Sequence, residues 1–139
     1  MTRKAFKVFL EASRGDGIIS ALYAMLLLTI IMFIAIDIAG YTATAWKLRN
    51  ACSETIGLMK IENGYDGKTE QAFFQFAGVL GLETEKIYVS GTPKTVQRGD
   101  TVEITASIPY EVRSIRPFNH SLELDIGIKM SGLAQEFVR

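Results

Sequence analysis

The sequence predicts an α+β fold. A long N-terminal transmembrane helix continues into an external head, where a second helix packs on a small antiparallel β-meander of about three strands. Three observations predict it. A run from Gly17 to Ile36 contains no charged side chain. Apolar residues then recur at helical spacing as far as Met59, and again from Ala72 to Leu80. After Leu82 the hydrophobic period changes from that of a helix to two.

The uncharged run reads GIISALYAMLLLTIIMFIAI. It holds about 20 residues, enough at roughly 1.5 Å each to cross a hydrocarbon core of about 30 Å. A cleaved secretory signal has a shorter apolar region and ends on a small-residue site of the Ala-x-Ala kind, which is lacking here. A buried core helix needs apolar neighbours on every side, and a domain this small cannot supply them. A retained membrane helix fits best. Arg3, Lys4, Lys7 and Arg14 precede the run, so the positive-inside rule places the N-terminus in the cytoplasm. The expected organisation is a basic cytoplasmic leader over 1–17, the transmembrane half of the helix over 18–40 and an extracytoplasmic head over 41–139. That makes a single-pass protein of the cell membrane, with lipid as its first partner.

No proline interrupts the chain between Met1 and Thr92. Leu48, Cys52, Ile56 and Met59 fall on one helical face, with Lys47, Arg49, Asn50 and Glu54 around the other side. One continuous helix is therefore expected from about Ile18 to about Ile61, about 65 Å long at the helical rise. Asn63-Gly64-Tyr65-Asp66-Gly67 breaks it. The second helix is expected from about Thr69 to Leu80, burying Ala72, Phe73, Phe76, Ala77 and Leu80, with Gly81 as its C-terminal cap. Ile87 and Val89 suggest a short strand. Val102, Ile104, Ala106, Ile108, Tyr110 and Val112 then alternate with polar positions, as do Leu122, Leu124, Ile126, Ile128 and Met130. Two long half-buried antiparallel strands account for this pattern. Pro109 should mark a bulge or an unpaired edge.

Composition narrows the function. The chain has 15 basic and 15 acidic residues, so no basic surface argues for nucleic acid. One cysteine, Cys52, excludes an internal disulfide framework and a cysteine-based zinc site, and its place on the apolar stripe suggests a small core residue. His120 has no companion ligand nearby, so neither metal nor cofactor is expected. No Gly-x-Ser-x-Gly elbow, phosphate loop or His-Glu-x-x-His motif occurs, and no catalytic role is expected. Arg98-Gly99-Asp100 reads as a turn before a strand rather than an adhesion motif.

A long helix with an apolar first half, carrying an α+β head, resembles type IV pilins and pseudopilins. Ile36-Asp37-Ile38-Ala39-Gly40 is similar to the Ile-Asp-Phe-Gly segment closing the apolar helix of TadE-like proteins of tight-adherence (Tad) pilus systems. Leu48-Arg49-Asn50-Ala51-Cys52 resembles their Leu-x-Asn-Ala-Ala stretch. Gly99-Asp100-Thr101-Val102-Glu103-Ile104 resembles their Gly-Asp-x-Val-x-Val strand start, with Ile108-Pro109-Tyr110 near the usual Tyr-Pro. The resemblance implies a TadE-like minor pilin or pseudopilin, a structural, initiator or adaptor subunit whose partners are other pilins, the pilus assembly platform and a prepilin peptidase. Arg14-Gly15-Asp16-Gly17 resembles a prepilin cleavage region, so Gly15, Gly17 and Ile18 flank the implied cut; otherwise the glycines simply break the juxtamembrane helix. The sequence departs from the family at its helix glutamate, where Leu22 or Ser20 stands, depending on register.

Small residues at spacing four (Ser20 and Ala24; Ala35, Ala39 and Ala43) and Gly40 are candidates for close helix–helix contact in lipid. Asp37, at the end of the uncharged run, is expected at the outer headgroup region, either snorkelling to water or meeting a cationic group of another subunit. The alternative class of function is a permanently anchored envelope protein whose external domain binds another protein.

Overall fold

The computed structural model describes residues 3–94 and 97–135, with only the backbone described for residues 3–16. The elements run α1 (Arg3–Glu62), α2 (Gly67–Val79), a 3₁₀ turn (Thr84–Lys86), β1 (Tyr88–Gly91), β2 (Thr101–Glu111), a second 3₁₀ turn (Arg116–Phe118) and β3 (Glu123–Leu133). The chain divides into two compact units, Met1–Ile38 and Ala39–Arg139. Helical backbone in the first begins at Arg3 instead of near Ile18 and runs through Gly15 and Gly17 without a break. Isolated glycines cost a helix only about 1 kcal/mol each relative to alanine, which long flanking helical stretches offset.

In the second unit α1 ends at Glu62, and the positive φ of the next residue, Asn63 at 56°, lets the Gly64 amide donate to the Met59 carbonyl at 3.0 Å. This is a Schellman-type stop. Gly64, at φ 139°, occupies backbone space open to glycine alone, and a side chain there would strike the backbone of Pro93 and Lys94. Asp66 then caps α2. Its carboxylate accepts the amides of Lys68 and Thr69 at 3.0 and 2.9 Å, and the Thr69 hydroxyl accepts the Asp66 amide at 2.7 Å, closing a capping box. The helix stops where expected. Gly81, at φ 72°, donates to Gly78 and Leu82 donates to Ala77, both at 3.0 Å.

The Thr69 amide above all, helped by Lys94, holds the Asp66 carboxyl down to about 2 from its ordinary 3.8. The folded state therefore favours the charged form. Its stabilisation is fully present above about pH 4 and is lost as the pH falls toward 2. Asp66→Ala should cost about 1 kcal/mol, within the usual range of roughly 0.5–2 for a lost cap. Asp66→Asn, which keeps the acceptor, should cost less. Urea unfolding of the full chain in micelles at pH 7 and pH 2.5 checks both points. The difference between wild type and Asp66→Ala should shrink at the lower pH.

The sheet has the order β1-β2-β3 with antiparallel neighbours. β2 and β3 pair in unbroken register from Thr101↔Leu133 to Glu111↔Glu123. Pro109 causes no bulge; it lies opposite Asp125 within the ladder. Glu103 exchanges bonds with Thr92, so its backbone faces β1, and by alternation the backbone nitrogen of Pro109 faces the same way. β1 has already ended by then, at Tyr88↔Ser107, so no ladder bond is lost.

One core joins Leu48, Ala51, Cys52, Ile56 and Met59 of α1 with Phe73 and Ala77 of α2 and with Val102, Ile104, Ala106, Ile108 and Ile126 of the sheet. The stripe expected on α1 is thus buried. The core thins toward the β2–β3 connection. Tyr110, Ile128 and Met130 are half-buried, while Leu122 and Leu124 are 49% and 42% exposed. Period two assigns this row to one face but does not say what covers that face. The Arg98–Asp100 segment is a turn: Gly99 has φ 93°, and the Asp100 amide donates to Gln97 at 3.0 Å.

Candidate functional site

In the first unit the large apolar side chains from Ile18 to Ile36 are between 43% and 70% exposed. They point in all directions around the helix, so this is not an amphipathic stripe awaiting one core face. Thr29 satisfies its hydroxyl by donating to the Met25 carbonyl at 2.8 Å, a bond that needs no water. This is one helix long and apolar enough to cross a membrane, near the N-terminus and with none of its apolar window buried. The chain has the build of a single-pass, membrane-anchored protein.

Ser20, Ala24 and Ala35 are exposed on this helix, and Gly17 and Ile18 lie in regular helix and are exposed; Gly15 lies among the residues described by backbone alone. Asp37 differs from its neighbours: it is 9% exposed, whereas Ile36 and Ile38 are 50% and 62% exposed.

In the second unit Ala39 and Ala43 are exposed, but Gly40 is occupied within the chain. The Tyr110 hydroxyl lies where a Cβ on Gly40 would be, and the Tyr110 ring meets Tyr41 edge-on with centroids 5.8 Å apart. Gly40 therefore admits a strand tyrosine instead of standing open to a second helix, because only a bare Cα allows that approach. Neither Gly40 nor Tyr110 carries a motif that announces the pairing.

The same unit holds an open cleft of about 510 Å³ beside Tyr110. Lys47, Lys86, Arg113 and Arg116 line it together with Glu83, Glu111 and Glu123. Arg116 makes a bidentate pair with Glu111 at 2.9 and 3.0 Å, and Lys86 pairs with Glu83. The Glu83–Lys86 contact holds the glutamate below its ordinary range and the lysine above its own. Charges are thus largely matched inside the cleft. A second charged cluster closes the α1–α2 corner, where Glu62 accepts Lys94 at 3.0 Å and Lys68 at 3.2 Å; Lys94 first and Lys68 second hold its carboxyl low. The partnership of Glu62 with Lys94, 32 residues away, was not legible in the sequence.

Cys52 is fully buried, and burial pushes its thiol up to about 11, which suits a packing residue rather than a nucleophile. His120 is exposed. Among the described residues no group of three His, Cys, Asp or Glu side chains is arranged to hold a metal ion.

A search of the curated proteins found no match, and a search of the solved structures found none. One family does match, from the second turn of the exposed apolar run to the last residue. Over residues 24–139 the chain belongs to the family described as Domain of unknown function (DUF4320).

Proposed function

We propose that this protein is a minor pilin or pseudopilin of a Tad-like pilus or secretion machine, with its N-terminus in the cytoplasm and the 39–139 unit outside. The single observation carrying this reading is the composition of α1, apolar and exposed on all sides over 18–36 but burying one stripe under an α+β domain over 48–59. Lipid solvates the first kind of surface, and so does a bundle of similar helices. The Ile36–Gly40 and Gly99–Ile104 segments support the same reading through their resemblance to TadE-like proteins. On this reading the 39–139 unit acts by contact with other proteins. Its partners are then lipid, other pilin-like subunits, an assembly platform and a prepilin peptidase.

One observation favours the second reading, a permanent anchor carrying a protein-binding domain. Helical backbone runs through Gly15 and Gly17, whereas a peptidase needs an extended segment. Intact mass and N-terminal sequencing of the protein from its native membrane separate the two. A chain starting at Ile18 or Asp16 supports the pilin reading, and Gly17→Leu or Gly15→Leu should then block processing. A chain starting at Met1 or Thr2 overturns leader cleavage and leaves the permanent anchor.

A further inference from the structure

β3 forms one edge of the sheet, and it is long for an edge strand, at 11 residues. Natural edges are usually kept short or blunted. The Leu122 carbonyl accepts the Val112 amide at 2.9 Å and the Ala134 amide donates to Asp100 at 2.9 Å, so the even-numbered residues direct their backbone groups at β2. The backbone groups of Glu123, Asp125, Gly127, Lys129, Ser131 and Leu133 therefore face away from the sheet. All six residues are exposed, and among the described residues nothing pairs with that edge.

The charges along the edge are arranged with a sense. Two acids, Glu123 and Asp125, lie on one side of Gly127 and Lys129 lies on the other. Laid antiparallel against a second copy and centred on Gly127, the strand brings Asp125 opposite Lys129 of the second copy, and the two-fold axis repeats the pair. Glu123 then faces Ser131. On the inner face, Ile126 faces Ile128 and Leu124 faces Met130, so apolar residues meet apolar residues. Gly127 meets its own copy at the axis, where the lack of a side chain permits close approach. Centring on Asp125 or Lys129 instead opposes like charges. Centring on Ile126 pairs Glu123 with Lys129 but shortens the overlap. Centring on Ile128 matches no charges at all.

We propose that β3 of two copies pairs antiparallel about Gly127, joining their sheets into one isologous, two-fold interface. Lys129, which already bonds Glu103 at 2.9 Å on the outer face, would then lie between Glu103 and Asp125 of the second copy. The occupant is this chain itself, and the proposal stands apart from whether the leader is cleaved.

The test uses the full chain in mild detergent. Gly127→Cys is tolerated by the space around it, since an added Cβ has no neighbour within 4 Å, and the buried Cys52 stays silent to a bis-maleimide about as long as the gap. Gly127→Cys should crosslink to a dimer. Adding Asp125→Lys should lower the dimer yield roughly five- to thirty-fold, as two attractive pairs become repulsive. Full reversal (Asp125→Lys, Lys129→Asp and Glu103→Lys together) should restore it to within about two-fold. Gly127→Pro removes only an outward-facing donor and should leave the far-UV spectrum intact while light scattering reports a monomer. No crosslink at residue 127, a yield indifferent to charge, a reversal that fails to rescue, or a Gly127→Pro chain that still dimerises each overturns the proposal. The last three outcomes would put any dimer contact elsewhere, for instance along the apolar helix.

Discussion

The double substitution Leu27→Arg and Ile31→Arg is expected to release the chain from the membrane fraction. The two residues lie one turn apart near the middle of the uncharged run, and they are 43% and 65% exposed. Neither has a place in a core, so the change falls on the solvent around the helix rather than on packing. An arginine at the centre of a membrane helix costs roughly 2.5–3.5 kcal/mol on insertion scales, and each substitution also forfeits the leucine or isoleucine contribution. Together the cost is about 6 kcal/mol or more, enough to cancel much of what the remaining apolar residues contribute. Alkaline carbonate extraction reads the result, with wild type in the pellet and the double variant largely in the supernatant. Either single variant should stay mostly in the pellet. If the double variant resists extraction as wild type does, the apolar run is not what holds the protein to the membrane.

The second large effect is expected at Phe73, which should cost about 3–5 kcal/mol when replaced by alanine. Phe73 is fully buried and is the largest of the fully buried side chains, and its ring meets Phe74 edge-on with centroids 5.5 Å apart. It is also the main anchor of α2, where Thr69 and Ala77 are the other buried residues. A helix of 13 residues is marginal without such an anchor. Domain stabilities run from about 5 to 15 kcal/mol, so the loss should take a large share of what holds the 39–139 unit together. The melting temperature should fall by about 15 °C or more, while Phe73→Leu, which leaves a smaller void, should lower it by less than half as much. Thermal melts followed by near-UV circular dichroism are the direct check. A shift of only a few degrees would mean that α2 contributes little to the core.

Much of this fold could be read from residues in order. The α1 stripe at Leu48, Cys52, Ile56 and Met59 was legible because a 3.6-residue period projects onto one face whatever lies opposite. The stop at Asn63-Gly64 and the cap at Gly81 were legible because positive φ has few takers. Resemblance carried the functional reading further than periodicity could, yet the family that matches offers no activity to set beside it.

Other features depended on partners distant in the chain. No local pattern says that Gly40 receives Tyr110, that Lys94 reaches Glu62, or that Leu122 and Leu124 stay exposed while Ile126 is buried. The edge position of β3 belongs with these, since its alternation would read the same with strands on both sides. By itself the sequence determined what depends on solvent and local conformation: an uncharged stretch long enough to cross lipid, helix and strand periods, and the glycines that end the helices. Only the tertiary structure decided which faces are covered, which charges neutralise one another and which strand edge is left open. Those outcomes depend on distances between residues far apart in the chain, and hydrophobic periodicity carries no information about such distances.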